Sequence, residues 1–446
     1  MTFLRNFIAI LSCKLLVWVS KLLGKKGSSG PGAIALKISP TILKTLAKKV
    51  KKEIIFVCGT NGKTTTNNLI YTLLTNDGNT VVCNNVGANM LYGIACAFIT
   101  KASIFGNLNA DYAVLECDEA YLRHAVNHIK PSKILITNLF RDQMDRYGEI
   151  EQTSQFLSEA IEKAPDATLI LNADDPICVA LGKDRKAIYY GISEDTGFEG
   201  QKTNDGRFCH ICGGEFSYIY RHYNQLGCYK CDKCGFKRPN PNYSATRIDM
   251  TEGLKFVLSY KGMQHKVNVN YRGFYNIYNI IGSFAAYEAC GGSMESAQKV
   301  FGSYKAQLGR MESFDISGTQ AVLNLAKNPA GFNQSISAVC DDKRQKDILF
   351  AVNDAPSDGM DISWIYDVDF EALQGNNINK IYVSGTRKYD LALRLKLAGF
   401  ENVEITELDK THIESIISSS NGVCYLIVNY TALFGTQDIL KELEVK

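Results

Sequence analysis

The run Cys58-Gly59-Thr60-Asn61-Gly62-Lys63-Thr64-Thr65 has the composition of a loop that binds phosphate. It follows an apolar, strand-like segment and opens a helical pattern beginning near Lys63. Glycines let backbone N–H groups approach phosphate oxygens, and a helix N-terminus adds partial positive charge. In that setting Lys63 neutralises the β- and γ-phosphates while Thr64 offers its hydroxyl to Mg²⁺. Gly59, Thr60, Asn61, Gly62, Lys63, Thr64 and Thr65 are the expected contacts to ATP. The general spacing of such loops asks for glycine at position 57, where this chain has Val57.

A second chemical signal is unrelated to the first. Cys209-x-x-Cys212-Gly213 and Cys231-x-x-Cys234-Gly235 form two knuckles, with eighteen residues between Cys212 and Cys231. Four thiolates at this spacing fit tetrahedral zinc and leave no open coordination position, so the expected role is structural. A glycine after each second cysteine relieves the tight turn. Cys228 competes as a fifth thiol, but pairing it with Cys231 would leave Cys234 and its glycine unused. His210 and His222 are read as bystanders. Without metal, the reduced cysteines would leave a small insert with little core.

The elements that must position these groups follow an α/β rhythm. Ile54–Cys58, Tyr112–Cys117, Ile134–Thr137 and Thr168–Leu171 are short β-rich runs, each followed by polar loop residues. That is the layout of an open parallel sheet with its site beyond the strand C-terminal ends. A Gly/Ser/Pro-rich linker, Gly27 to Gly32, and a basic helical stretch, Thr41 to Lys52, precede it. The rhythm breaks between about Thr203 and Asn242, resumes near Phe256, and reaches a helix around Asn276–Cys290. A further α/β unit starts near Phe314, with strands Ile348–Val352, Lys380–Val383 and Cys424–Val428 and a helix at Tyr389–Leu397. The expected division is 1–40, an N-terminal helix and linker; 41–313, an ATP-binding central domain with the cysteine insertion at about 203–242; and 314–446, a C-terminal α/β domain.

The chain has 446 residues, with 46% hydrophobic and 21% charged content, which is ordinary for a globular protein of two or three domains. A formal charge of +3 gives no signature for a polyanion, so a nucleic-acid partner is not expected. Fourteen cysteines, nine of them scattered, fit a reducing cytoplasm. Phe3 to Leu23 is strongly apolar, but Lys14 and Lys21 interrupt it a heptad apart, and the uncharged stretch is too short to cross a bilayer. It reads as an amphipathic helix, with two alternatives open: packing on the protein's own body, or resting on the inner membrane leaflet.

Against these motifs the chain resembles the Mur ligase superfamily, which uses the tighter Gly-Thr-Asn-Gly-Lys-Thr form of the loop. Glu116, in Leu115-Glu116-Cys117-Asp118-Glu119, is similar to the family's magnesium-binding glutamate. Asn138 to Tyr147 and Asn172-Ala173-Asp174-Asp175-Pro176 are family-like segments. Asn276 and Asn279 match its adenine-contacting pair, and Arg310 matches the arginine that reaches the γ-phosphate. Asn328-Pro329-Ala330-Gly331 and Gly385-Thr386-Arg387 resemble its C-terminal domain. Gln143 stands where a metal-binding histidine is common, no lysine precedes Lys163 where a modified one is common, and Asn324 replaces a ribose-contacting aspartate.

With the cysteine insert and the segment Asn353 to Trp364, these departures resemble the MurT-type branch. That resemblance implies a Mur-ligase-type P-loop domain with a parallel sheet, an inserted four-cysteine zinc ribbon and a Rossmann-like C-terminal α/β domain. The implied reaction is ATP-dependent amidation of the α-carboxyl of D-glutamate in lipid II to D-isoglutamine. It would run through an acyl phosphate, with ammonia from a GatD-type glutaminase subunit. Lys63, Glu116 and Arg310 would serve the phosphoryl transfer. Asp354, Asp358 and Asp361 have two readings: caps of turns and a helix, or, for one of them with Asp354 favoured, the residue that orients the partner's histidine. Trp364 and Tyr366 read as core or interface anchors. The alternative enzyme is an amino-acid-adding Mur or folylpolyglutamate-type ligase acting without a partner. A zinc-bearing scaffold with a retained ATP fold is the non-enzymatic alternative.

Overall fold

The computed structural model describes residues 2–23, 27–84, 88–140, 150–197, 206–251, 253–269, 273–303 and 311–445. Gln143 and Arg310, the loop from residue 141 to Tyr147, and the first residues of the cysteine insertion lie outside them.

Three helices come first: α1 (Thr2–Leu22), α2 (Gly30–Ile38) and α3 (Ile42–Ala47). The expected linker is shorter than its composition suggests, because Pro31 sits in the first turn of α2, where its missing N–H costs nothing. The expected helix from Thr41 to Lys52 also ends early. Val50–Lys52 belong to strand β1 (Val50–Cys58), which pairs in parallel with its neighbour from Val50 onward.

The chain then alternates α4 (Lys63–Asn76), β2 (Val81–Cys83), α5 (Leu91–Lys101), β3 (Ala110–Glu116), α6 (Glu119–Ala125), β4 (Lys133–Ile136), α7 (Ile150–Glu162), β5 (Thr168–Asn172), α8 (Pro176–Leu181) and β6 (Ala187–Ile192). A hairpin, β7 (Phe216–Tyr223) and β8 (Leu226–Cys231), carries the cysteine insertion. Strands β9 (Tyr243–Asp249), β10 (Leu254–Tyr260) and β11 (Met263–Val269) follow, then α9 (Tyr275–Glu288) and α10 (Met294–Ser303).

These strands form a nine-stranded sheet in the order β11-β10-β9-β6-β5-β4-β1-β3-β2. It is parallel from β2 to β9, while β10 and β11 return antiparallel, so the resumed rhythm near Phe256 is a meander rather than another crossover. Both faces are covered. Ile54, Phe56 and Cys58 point into one core with α1, α3 and α5; Ile55 and Val57 point into the other with α4 and α9. The period of two along an unbroken apolar run is what a strand buried on both faces requires.

The second unit contains β12 (Glu312–Ile316), β13 (Thr319–Leu325), α11 (Pro329–Asp341), β14 (Lys346–Ala351), β15 (Ile378–Ser384), α12 (Lys388–Leu397), β16 (Val403–Ile405), α13 (Lys410–Ser419), β17 (Val423–Val428) and α14 (Tyr430–Glu444). Its six-stranded sheet runs β12-β13-β17-β14-β15-β16, parallel except for β12.

Candidate functional site

The phosphate loop leaves the C-terminal end of β1, flanked by the ends of β3 and β4. In an open α/β sheet such strand ends form the crevice where ligands bind. Gly62 caps α4 with φ +83, a conformation that favours glycine, and a side chain there would collide with Asn279, whose Oδ1 would lie 2.1 Å from the added carbon. The loop is clamped from β4. The backbone N–H of Thr60 donates to Asn138 O at 2.8 Å, and that of Asn61 donates to Asn138 Oδ1 at 2.9 Å. Thr137 Oγ1 donates to Asn61 O at 2.7 Å.

Lys63 is buried. Its ammonium donates to Gly59 O at 2.6 Å, to Thr60 O at 3.2 Å and to Glu119 Oε1 at 2.9 Å. Burial alone would lower its pKa, but Glu119, then Asp118 and Glu116, raise it above lysine's ordinary value and keep it charged. Burial in turn raises the Glu119 carboxyl, against the pull of Lys63. The role of Glu119 is hidden in the sequence because it meets Lys63 only across the fold; its one local sign is a carboxylate in the first turn of α6, where Asp118 is the cap.

Glu116 ends β3 and is buried, with its backbone N–H held by Asn84 Oδ1 at 2.9 Å and its carboxylate 3.5 Å from Asn89 Nδ2. Thr64 and Thr65 lie in the first turn of α4, and Thr65 lines a cleft with Asn61, Gly62 and Asn279. Asn279 Nδ2 donates to Asn276 Oδ1 at 3.0 Å, so this pair stands together at the cleft side of α9. Across the cleft the second unit contributes Asn324, Leu325, Gly331 and Gln334. Asn328 Nδ2 reaches Asn61 Oδ1 at 3.3 Å, joining that unit to the phosphate loop. Phe140, Tyr223 and Tyr275 line the same cleft, an aromatic wall the motifs do not announce. Lys163 lies elsewhere, its Nζ donating to Arg123 O at 3.3 Å.

The four knuckle sulfurs lie within 4.8 Å of one another. Cys209 Sγ is 3.8 Å from Cys234 Sγ, and Cys212 Sγ is 3.5 Å from Cys231 Sγ. Four sulfurs about 2.3 Å from a central zinc would sit at this kind of separation, so the residues fit the ion. Gly213 and Gly235 adopt φ +69 and +74. The backbone N–H of Cys234, the main influence, helps to pull the Cys231 thiol down to about 7. Cys228 stands apart, paired with Tyr220 in the hairpin ladder. His222 is buried against Phe274 and Tyr278, and neither it nor His210 joins the sulfur cluster.

The hairpin's turn reaches the cleft. Tyr223 packs 5.8 Å from Phe140, and Gln225 Nε2 donates to Leu139 O at 2.5 Å. Arg238, just beyond the second knuckle, donates from Nε to the buried Asp174 at 2.6 Å, and Tyr278 OH reaches the same carboxylate at 2.8 Å. One aspartate thus ties the insertion to β6 and α9.

The three aspartates of the second unit separate clearly. Asp358 is buried and accepts from Thr431 N at 2.9 Å, at the start of α14. Asp361 is exposed and accepts from Ser363 N at 2.8 Å, just before a short 3₁₀ turn. Asp354 is partly exposed beyond β14, accepts from Thr386 Oγ1 at 2.8 Å and lies 3.6 Å from Arg387. Trp364 packs on Phe332 at 5.1 Å, while Tyr366 is half exposed.

A nucleotide-type loop at the switch point of a parallel sheet, closed by a second α/β unit, defines a Mur-ligase-fold enzyme. The Mur ligase middle domain matches residues 57–227 and the MurT ligase C-terminal domain matches residues 325–433. The chain belongs to the MurT family. It is 38% identical over 432 residues to the lipid II isoglutaminyl synthase (glutamine-hydrolyzing) subunit MurT of Staphylococcus aureus strain COL, covering 96% of each chain. It is 34% identical to the subunit of the same name from Streptococcus pneumoniae, covering 99% of this chain and 98% of that one. Among solved structures, a pseudomurein peptide ligase type C from Methanothermus fervidus matches with a TM-score of 0.71 at 22% identity, over 89% of this chain and 80% of that one. The Thermotoga maritima MurF ligase in complex with ADP matches at 0.64 and 15% identity, over 92% and 84%. These two establish the fold.

Proposed function

We propose that this chain is the ATP-consuming subunit of a lipid II isoglutaminyl synthase, converting the α-carboxyl of D-glutamate in the stem peptide to an amide. The observation that carries the reading is the buried Lys63, held charged by Glu119 on a clamped phosphate loop whose Asn61 and Gly62 line a cleft between two α/β units. Phosphoryl transfer requires positioned phosphates and neutralised charge more than covalent help, which this arrangement offers.

In this reading the N–H groups of the loop and of α4 receive the phosphates, and Lys63 exchanges Glu119 and two carbonyls for phosphate oxygens. Asn276 and Asn279 meet the adenine. Thr64 and Glu116 would hold Mg²⁺, which when bound offsets β- and γ-phosphate charge. A carboxylate oxygen of the substrate attacks the γ-phosphorus, the bond to the β-phosphate oxygen breaks, and ADP leaves. Lys63 and Arg310 would stabilise the charge on the transferred group. Ammonia then attacks the acyl carbon, phosphate departs, and the nitrogen loses a proton to solvent. The ammonia would come from a GatD-type glutaminase subunit, with Asp354 orienting its histidine: Asp354 lies just beyond the C-terminal end of β14 and is partly exposed, whereas Asp358 is buried. Zinc in the four-cysteine cluster would be structural.

The test combines the chain, Mg-ATP and lipid II, with ammonium or glutamine as nitrogen donor, with and without a co-expressed glutaminase. Product mass should show an amide with ammonium alone, extended to glutamine when the partner is present. Asp354→Ala should abolish the glutamine reaction and leave the ammonium reaction intact. Addition of a free amino acid in place of ammonia would replace this reading with an amino-acid-adding ligase.

A further inference from the structure

Helix α1 has two faces that differ in their fate. Ala9, Ile10 and Cys13 are buried against the body, Asn6 Oδ1 accepts from Ser39 Oγ at 2.6 Å, and Lys14 Nζ donates to Thr100 O at 3.0 Å. The opposite face carries Leu4, Ile8, Leu11, Leu15, Trp18 and Leu22, spaced four and three residues apart in turn, and all are exposed, Leu22 by 67% and Trp18 by 59%. That spacing makes one continuous apolar stripe about 30 Å long. Beside it Ile104 and Phe105 are also exposed, with the Phe105 ring stacked on Phe7 at 6.2 Å. The apolar surface is therefore wider than one helix.

Charge around this surface has one sign. Residues 1–52 contain eleven lysines and arginines and no aspartate or glutamate, while the other 394 residues carry 38 basic and 46 acidic side chains, a formal −8. Lys14 is tied to Thr100, Lys49 donates to Gly106 O at 2.7 Å, and Lys101 is exposed at the end of α5. These cations thus border the Ile104–Phe105 segment. An apolar stripe with a cationic rim is the composition of a surface that lies in the interface of an anionic bilayer.

We propose that this face docks flat on a membrane of anionic lipid. By length and composition α1 is long and apolar enough to cross a membrane. This corrects the expectation from sequence that its uncharged stretch is too short to span. Crossing would strip the helix from Ser39, Thr100 and its buried contacts, so it rests on the surface instead. Docking would hold the ATP cleft beside a lipid-linked substrate, yet it requires neither nucleotide nor amidation and can be tested apart from them.

The experiment is co-sedimentation of the full chain with large vesicles of phosphatidylglycerol and phosphatidylcholine, and with vesicles of phosphatidylcholine alone. Binding is expected to the first and not the second, to weaken with salt, and to shift Trp18 emission to the blue. The double variant Leu11→Gln/Leu15→Gln should weaken binding by about 100-fold at unchanged melting temperature and ATP hydrolysis. Lys49→Glu/Lys101→Glu should weaken it while leaving the apolar stripe intact. Absence of binding, equal binding to both vesicle types, or indifference to the variants would overturn the proposal. So would a lipid-free dimer, seen by sedimentation velocity, that the glutamine variant dissociates, because the stripe would then belong to a second copy.

Discussion

The phosphate loop and the cysteine insertion leave the same end of the nine-stranded sheet, after β1 and β6, but owe their shape to different sources. The loop is fixed by a sheet with a core on each face, and its backbone is clamped by Thr137 and Asn138. The insertion has a two-stranded hairpin and a small cluster of Cys209, Phe216, Tyr229 and Cys231 packed on Val179 of α8. So little buried surface does not hold a fold by itself, and zinc held by the four sulfurs would make up the difference. The contrast implies that damage to the loop costs chemistry, whereas damage to the insertion costs structure. It also implies that the structural loss reaches the cleft, because Tyr223 and Gln225 belong to the hairpin.

Cys231→Ser should have the largest effect. Zinc content, measured by atomic emission, should fall from one per chain to near zero, and limited proteolysis should cut the insertion while the two sheets persist. Metal binding is worth about 10 kcal/mol in isolated zinc modules, enough to dominate a fold this small. Nucleotide affinity should drop about 10-fold as Tyr223 and Gln225 lose their seats, roughly the 1–1.5 kcal/mol of one wall contact and one hydrogen bond. Unchanged affinity in a cleaved module would break the link between the two regions.

Lys63→Ala tests the other side. Ammonium-dependent amidation should fall about 10³-fold, near 4 kcal/mol of transition-state stabilisation, with zinc content unaltered. Stability should fall as well, since Glu119 is left buried without its cation, at a cost of about 3–5 kcal/mol. Lys63→Met/Glu119→Gln should regain most of that stability and none of the activity. If the pair variant is as unstable as the single one, the loop depends on its charges for folding and the contrast fails.

Asp174→Asn probes the joint between the regions. Its carboxylate receives Arg238, Tyr278 and the backbone N–H of Ile192. Neutralising it leaves the Arg238 guanidinium buried without a counter-charge, at about 3 kcal/mol. Urea unfolding should report that loss, with the ATP Michaelis constant rising more than kcat falls, because α9 carries Tyr278 together with Asn276 and Asn279, the proposed adenine contacts.

What could be read from the sequence follows the same division. The phosphate loop is a contiguous string whose chemistry needs just those residue types, and the knuckle spacing, together with the glycine after Cys234, picks out the sulfurs that the fold brings together. Both α/β rhythms were visible because strands buried on two faces are unbroken apolar runs. Hidden were contacts that depend on distant chain segments: Glu119 on Lys63, Tyr223 in the cleft, and Asp174 between insertion and helix. Val50–Lys52 were hidden for another reason. Lysines continue the basic pattern of α3, and nothing local reveals that Val50 pairs with Ala110.

Cys228→Ser should have the smallest effect and gives the sharpest control. Cys228 is three residues from Cys231 and shares its strand, so spacing alone leaves it a rival ligand. In the fold it lies opposite Tyr220 in the β7–β8 ladder and outside the sulfur cluster. An oxygen for a sulfur at that half-buried position should shift stability by less than about 0.5 kcal/mol. Zinc should remain at one per chain and the ATP Michaelis constant should not move. Loss of metal in Cys228→Ser, matched by retention in Cys234→Ser, would reassign the fourth ligand and move the second knuckle back along β8.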